Sequence, residues 1–249
     1  MLVLAMVSKE VQKSVIAVIP ARGGSKRIPQ KNIRNFCGKP IIQYAIEALK
    51  SSNLFHRIIV STDSEKIAEI SRSLGAEVPF IRDSVLSTDD TPTIDVIIDA
   101  LTRLGISGND EVCCVYPTNP LLNSDLLKKG LDLLREQTIN CYVSPVVRYS
   151  FPIQRALVVR DGFLEMKESD QMYARSQDLE LTFHESSQFW WALGLTWLSR
   201  IDMQSKIKGI FIPEWLQQDI DNEEDWKIAE IKYQTLFNSS NLNFEFKSS

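Results

Sequence analysis

A short apolar run that ends in a proline and opens into a basic, glycine-bearing loop constrains this chain more than any other stretch. Val15 to Ile19 reads as a buried strand, and Pro20 closes it because proline cannot donate to a central ladder. In the loop that follows, Gly23-Gly24-Ser25 lets the backbone turn tightly and present several N–H groups to one anion. Arg22, Lys26, Arg27 and Lys31 surround the glycine pair, with Asn32 next in line. Such a loop suits a polyphosphate. It is neither Gly-x-x-x-x-Gly-Lys-Ser/Thr nor Gly-x-Gly-x-x-Gly, so it holds its ligand by another geometry than the two commonest nucleotide motifs.

The strand–loop–helix rhythm then repeats. Pro40 fits the first position of a helix over 40–52, Arg57 to Ser61 reads as a second strand, and Thr62-Asp63-Ser64-Glu65 opens a helix that stops at Gly75. Glu77 to Phe80 reads as a short strand. Thr91-Pro92 supplies an N-cap and first-turn proline for a helix through Leu104; Glu111 to Tyr116 is another buried strand, and Ser124 caps a helix through about Glu136. Four βα units in a row imply α/β architecture: a Rossmann-like, three-layer αβα sandwich around a mostly parallel sheet.

The rhythm breaks near Cys141. Residues 141–147 look like a strand, but 151–194 give short extended pieces and a turn at Arg160-Asp161-Gly162, an excursion from the sheet. The dense aromatic strand Gln188 to Leu193 places Phe189, Trp190 and Trp191 in a core or a subunit interface. Gly209 to Pro213 and Leu216 to Ile220 return to strands, and Asp221 or Asn222 caps a last helix through Leu236. The reading is one domain over 14–237, a loose leader over 1–13 with Met6 a second candidate start, and a frayed Ser/Asn-rich tail over 238–249.

Composition narrows the class of ligand. A formal charge of −4 and a pI near 5.4 argue against a protein that coats nucleic acid or an anionic membrane, so the basic loop faces one small ligand. Cys37, Cys113, Cys114 and Cys141 show no Cys-x-x-Cys spacing, as in a reduced, cytoplasmic protein. No apolar run reaches the roughly 18 residues of a spanning helix.

In a parallel sheet the loops at 21–32, 62–64, 82–93 and 116–123 share one edge, outside the carboxyl ends of the strands. Arg82 and Thr93 are therefore candidates for triphosphate or ribose contacts. In Asp219-Ile220-Asp221, read as extended, both carboxylates share a face while Ile220 points inward. Two convergent carboxylates make a hard oxygen site for Mg²⁺ shared with phosphate. Arg175-Ser176-Gln177-Asp178 and Phe183 to Gln188 place polar groups in the excursion, where substrate recognition often resides. His184 alone does not make a base.

Taken together, Ile19 to Lys26 with Lys31-Asn32, then Ser61-Thr62-Asp63, Pro117-Thr118, Arg175-x-Gln177-Asp178 and Asp219-Ile220-Asp221 resemble the acylneuraminate cytidylyltransferase (CMP-sialic acid synthetase) family. The resemblance covers about residues 14–236, with separate motifs in the family's order. It implies transfer of CMP from CTP to the anomeric hydroxyl of a nine-carbon 2-keto sugar acid, with pyrophosphate released. It also implies that Arg22, Gly23, Gly24, Ser25, Lys26, Lys31 and Asn32 cradle CTP. Lys26 and Lys31 would be catalytic, and Asp219 and Asp221 would hold Mg²⁺. Tyr116, Gln154, Arg155, Arg175, Gln177, Asp178, His184 and Gln188 would meet the sugar acid. A homodimer is implied, its excursion over about 140–195 reaching the partner's site, with Phe189, Trp190 and Trp191 consistent with that interface. Tyr116, where sialic acid enzymes commonly carry Gln, points with Pro152 to Leu157 and Arg175 to Leu179 toward the branch acting on pseudaminic acid, ahead of sialic or legionaminic acid. A nucleotide-sugar glycosyltransferase with an Asp-x-Asp site is the competing class, and the position of the pair near the C-terminus speaks against it.

Overall fold

The computed structural model describes residues 13–167 and 173–237. The leader, apart from Lys13, and the tail lie outside the described residues. The first strand, β1 (Val15–Pro20), sits inside the sheet between two parallel neighbours, β4 (Arg57–Ser61) and β5 (Glu111–Val115). Its alternate residues feed two different cores. Val15, Ala17 and Ile19 pack on one side with α1 (Ile41–Ser52), α2 (Glu65–Ser73) and α4 (Ser124–Arg135), whereas Ile16 and Val18 pack on the other with α3 (Thr93–Arg103) and α5 (Gly194–Leu198). Cys113 and Cys114 divide between the same two cores. This double burial is why the strand reads as a continuous apolar run.

Three further strands, β6 (Tyr142–Arg148), β10 (Phe189–Leu193) and β11 (Ile207–Phe211), complete the order β11–β6–β10–β5–β1–β4, and β9 (Phe183–Glu185) is added to β6. Strand β11 runs parallel to β6, and β10 runs antiparallel between β6 and β5. The mostly parallel αβα expectation therefore stands, with β10 inserted antiparallel and β9 also antiparallel to β6. That insertion corrects the interface reading of the aromatic strand. Phe189, Trp190 and Trp191 are buried in the subunit's own cores, and Trp191 stacks on Phe55 with centroids 5.2 Å apart. The excursion shrinks to the segment between β6 and β9, which holds the hairpin β7 (Leu157–Arg160) and β8 (Phe163–Met166).

Other local readings also need correction. Residues 77–80 form no strand; Glu77 and Ile81 make isolated bridges to Ile59 and Thr62, and Pro79 between them lacks the N–H a continuous ladder needs. Pro40 and Pro92 are N-cap residues, so α1 and α3 each begin one residue later; the Thr91 hydroxyl instead pairs with that of Thr88 at 2.8 Å. Asn123, not Ser124, caps α4, accepting the Leu126 N–H at 2.8 Å. Residues 216–220 are not a strand but an irregular crossing after a 3₁₀ turn at Glu214–Leu216. Asn222 caps α6 (Glu223–Phe237), accepting from the N–H groups of Glu224 and Asp225.

A third, smaller core joins the two ends of the chain. Ile28, Phe36, Ile41 and Tyr44 pack with Ile220, Trp226 and Ala229 of the C-terminal crossing and α6. Phe36 lies on the two-residue strand β2 (Asn35–Phe36), which pairs with β3 (Lys39–Pro40). Its ring meets Trp226 edge-on at 5.4 Å. The described cysteines are free, and no described helix is long and apolar enough to cross a membrane.

Helix α4 lies on the aromatic strand through Gly130. A Cβ there would come 2.7 Å from Trp191 Cδ1 and 2.9 Å from Phe189 Cε2, two rings with no room to move. Gly130→Ala gains about 1 kcal/mol of helix propensity and is expected to lose more through overpacking, for a net destabilisation of about 1–2 kcal/mol. Urea unfolding midpoints check it, and a stabilised variant would contradict the tight contact.

Candidate active site

The loop after β1 is shaped by the loop after β4. The Gly23 N–H donates to Asp63 Oδ1 at 2.7 Å, and a Cβ on Gly23 would sit 2.9 Å from Ser64 Cβ, so the close approach requires glycine. Arg82 is buried beneath this junction. It donates to the Ser61 carbonyl and, at 3.0 Å, to Ser87 Oγ, while Asp63 lies 3.9 Å away. Burial pulls the Arg82 guanidinium below its ordinary pKa, and the charges of Asp63 and Asp99 oppose that fall. Asn32 is buried too, and its Nδ2 donates to the Arg22 carbonyl at 2.8 Å, fixing the turn from inside.

Lys31 bridges the chain ends: its Nζ donates to the Ile220 carbonyl at 2.6 Å. Burial lowers the pKa of the ammonium, while Asp221 and Asp219 pull it back up. Asp221 Oδ1 accepts from Arg27 at 2.7 Å. Asp219 is open to solvent on one side, yet the surrounding protein and, after it, the charge of Asp221 raise its carboxyl above the usual range, with Lys31 opposing. The basic loop therefore meets Asp221 directly, while Asp219 stands next to it without lining the cleft between them.

Between them lies a cleft of about 580 Å³. Its walls carry five cations, Arg22, Lys26, Arg27, Lys31 and Arg82, against two carboxylates, Asp89 and Asp221. Ser25, Asn32, Thr93 and Tyr116 add neutral polar groups. That balance suits a polyanion. Asp89 rests on the two outermost cations, 2.6 Å from Arg22 and 2.5 Å from Lys26, which raises the Lys26 pKa and lowers its own. Exposed pairs of this kind contribute little stability and exchange readily for a stronger anion.

The predicted sugar-binding residues separate into groups. Tyr116 lines the cleft, and burial raises its phenol pKa, so it acts as a neutral hydrogen-bonding group. Gln188 is buried, its Nε2 donating to the Leu216 carbonyl at 2.7 Å and its backbone carbonyl accepting the Tyr116 N–H at 3.0 Å. His184 packs against Tyr149 with ring centroids 4.9 Å apart. Gln154, Arg155, Arg175, Gln177 and Asp178 form a separate cluster in the excursion: Gln154 donates to the Glu180 carbonyl, Arg155 to Ser176 and Ala174, and Arg175 pairs with Asp178 at 2.8 Å. None of these seven lines the cleft of its own chain.

A second cavity, about 460 Å³, adjoins the first and shares Thr93 and Tyr116 with it. Glu185, Trp190 and Arg200 line it and, like Asp89, escaped the sequence reading as site residues. Asp89-Asp90 gave only an acidic pair in a polar loop, and Glu185 stood beside the more conspicuous His184.

Among the described residues no three His, Cys, Asp or Glu side chains gather into a metal cage. Asp219 and Asp221 nonetheless offer the one or two carboxylates that Mg²⁺ takes from protein when water and phosphate complete its shell. The raised Asp219 carboxyl marks a site where added positive charge is favourable.

A mostly parallel α/β sheet whose strand ends frame a cationic cleft is the setting of a nucleotide-binding enzyme. Residues 16–213 match the model of the family described as cytidylyltransferase. A pseudaminic acid cytidylyltransferase of Campylobacter jejuni is 36% identical over 222 residues, 88% of this chain and 95% of that protein. A CMP-N,N'-diacetyllegionaminic acid synthase of Legionella pneumophila is 38% identical over 121 residues, 48% of this chain and 52% of its own. A solved CMP:2-keto-3-deoxy-manno-octonic acid synthetase, complexed with CTP, shares the fold with a TM-score of 0.67 at 15% identity, over 90% of this chain and 99% of that one. The chain belongs to the cytidylyltransferase family.

The electrostatics of the acid pair predict a stability effect. The folded pKa of Asp219 lies above its unfolded value, so the folded state holds the proton more tightly, and stability falls as pH rises through that window. The cost is fully present at neutral pH. Asp219→Asn is expected to stabilise the ligand-free protein at pH 7 by less than about 1 kcal/mol after solvent screening, seen as a raised melting temperature, and to lose the advantage below the ordinary aspartate pKa. Thermal melts across pH check this; a lowered melting temperature at pH 7 would contradict it.

Proposed function

We propose that the protein transfers CMP from CTP to the anomeric hydroxyl of a nonulosonic acid, with pseudaminic acid as the substrate, releasing pyrophosphate. The observation that carries this reading is the junction of the two cavities at Thr93 and Tyr116: one cationic, the other wide enough for a sugar. With CTP in the first cavity and the sugar acid in the second, the attacking hydroxyl approaches the α-phosphorus at the shared wall. The protein's task is then to align the attack and neutralise charge. Support for pseudaminic acid comes from the name and coverage of the Campylobacter jejuni relative and from Tyr116 before Pro117-Thr118.

In this reading Arg22, Ser25, Lys26, Lys31 and Asn32, with the backbone of Gly23 and Gly24, hold the triphosphate, and Arg82 and Thr93 complete its wall. Lys26 replaces its bond to Asp89 with one to the phosphates and steadies the pyrophosphate as it leaves. Lys31, fastened to the Ile220 carbonyl, keeps a charge next to the acid pair throughout. Asp219 and Asp221 would hold Mg²⁺, which when bound neutralises phosphate oxygens. Arg155, Arg175 and Gln177 reach a sugar acid only in a partner's cleft, which accords with a homodimer formed through the excursion. Its exposed Leu157, Val159, Phe163 and Leu164 supply apolar surface for such a contact.

Pyrophosphate release measured with four nucleoside triphosphates against pseudaminic, legionaminic and sialic acids tests the reading. CTP with pseudaminic acid is expected to give the highest kcat/KM; turnover with another triphosphate, or preference for another acid, would overturn it. Lys26→Ala is expected to lower kcat with CTP by about 10²-fold while leaving sugar-acid binding intact. Asp219→Asn or Asp221→Asn is expected to abolish Mg²⁺-dependent turnover with the fold retained, and near-normal rates in both would remove the metal assignment. Asp89→Asn should lower the KM for CTP, because no anion then competes for Arg22 and Lys26.

A further inference from the structure

The stretch Ser61-Thr62-Asp63 has no part in the wall of the cationic cleft, yet it reaches the loop that makes that wall. The Asp63 carboxylate accepts the Gly23 N–H at 2.7 Å. The carbonyl of the same peptide unit, that of Arg22, accepts from Asn32 Nδ2 at 2.8 Å. Because a peptide is planar, fixing its oxygen and its N–H fixes the plane, and with it the directions in which the chain enters and leaves. Two side chains from separate parts of the chain thus pin the Arg22–Gly23 peptide from opposite sides. The register is set just upstream, where the Ala21 N–H donates to the Ser61 carbonyl at 2.9 Å and extends the β1–β4 pairing by one bond. Buried Arg82 braces the far side of the junction: its backbone N–H donates to the Thr62 carbonyl at 2.8 Å and its Nη1 to the Ser61 carbonyl at 3.3 Å, while its Nη2 lies 3.9 Å from Asp63.

A carboxylate behind a seat for a polyanion repels the ligand. Its presence there has a reason in the pinned peptide, since an ionised acceptor binds a backbone N–H more strongly than a neutral one. Arg22 and, two positions past Gly23, Ser25 both line the cleft, so their placement depends on how that peptide is set. We propose that Asp63 is a positioning residue for the nucleotide: it holds the Arg22–Gly23 peptide in the orientation that turns Arg22 and Ser25 into the cleft before CTP arrives. This rests on the triphosphate occupying the cationic cleft as argued above. Without Asp63, bound CTP must itself order the loop at the expense of its own affinity, so the loss falls on CTP binding and not on the chemical step.

The test measures CTP binding by calorimetry without sugar acid, and steady-state pyrophosphate release, in wild type, Asp63→Ala and Asp63→Asn. Asp63→Ala is expected to raise the Kd and the KM for CTP at least about tenfold, with kcat and the KM for the sugar acid within about threefold of wild type. Asp63→Asn keeps an acceptor oxygen for the Gly23 N–H and removes the repulsion, and should recover CTP affinity to within about threefold of wild type. A second pair of variants serves if Asp63→Ala folds poorly. Gly23→Ala puts a Cβ 2.9 Å from Ser64 Cβ and should weaken CTP binding in the same way; adding Ser64→Gly removes the obstruction, costs α2 only its N-cap side chain, and should restore the affinity. Unchanged CTP affinity in Asp63→Ala, equal losses for CTP and sugar acid, Asp63→Asn no better than Asp63→Ala, or no recovery in the double variant overturns this inference alone. A wild-type protein that does not bind CTP overturns the functional reading and this inference with it.

Discussion

The burial of Ile28 and Ile220 in one small aromatic core is what the site depends on. Without it, a loop near the start of the chain and an acid pair near its end have no reason to meet. Each isoleucine is fully buried, a contribution of about 1.5–3 kcal/mol apiece, and the seats are built by Phe36, Tyr44 and Trp226. The polar contacts follow from that packing. Once Ile220 is anchored, its carbonyl lies 2.6 Å from Lys31 Nζ and Asp221 faces Arg27. Arg34 closes the same junction, 4.5 Å above the Trp226 ring and paired with Glu223.

That junction holds charges in states they do not prefer. Lys31 and Arg82 are pulled toward their neutral forms by burial, and Asp219 is pushed toward its protonated form by burial and by Asp221. A bound polyanion with its counter-cation would relieve all three together, and the free protein gives up some stability to keep them in place. The outer ring of the cleft behaves differently. Asp89 meets Arg22 and Lys26 at solvent-exposed positions, where an ion pair is cheap to break. The deep groups are thus fixed before a ligand arrives, and the outer ones are exchanged by it.

Much of this was legible where local sequence decides geometry. The apolar run of β1, its proline stop and the glycine turn are contiguous, and the inward direction of Ile220 followed from alternation even though 216–220 is no strand. Long-range choices were not legible. Phe189-Trp190-Trp191 carries the same apolar signal whether it lines a core or a subunit contact, and what decides is its pairing with Cys113 and Cys114, far away in sequence. The strand expected at 77–80 failed because Pro79 removes a donor that apolar pattern alone does not register. Asp89 went unnoticed as a site residue because its partners lie more than sixty positions upstream, and no local spacing encodes that approach.

The two cavities are built from largely separate parts of the chain. The cationic groups of the cleft come from the loop after β1 and, with Arg82, from the segment between α2 and α3, whereas the second cavity draws Glu185 from β9, Trp190 from β10 and Arg200, Asp202, Met203 and Gln204 from the turn after α5. The two sets of lining residues share only Thr93 and Tyr116. A change at Glu185 or Trp190 therefore alters the second cavity without touching Lys26 or Lys31. Thr93 and Tyr116 are the exceptions. Each lines both cavities, so a substitution at either alters the two together.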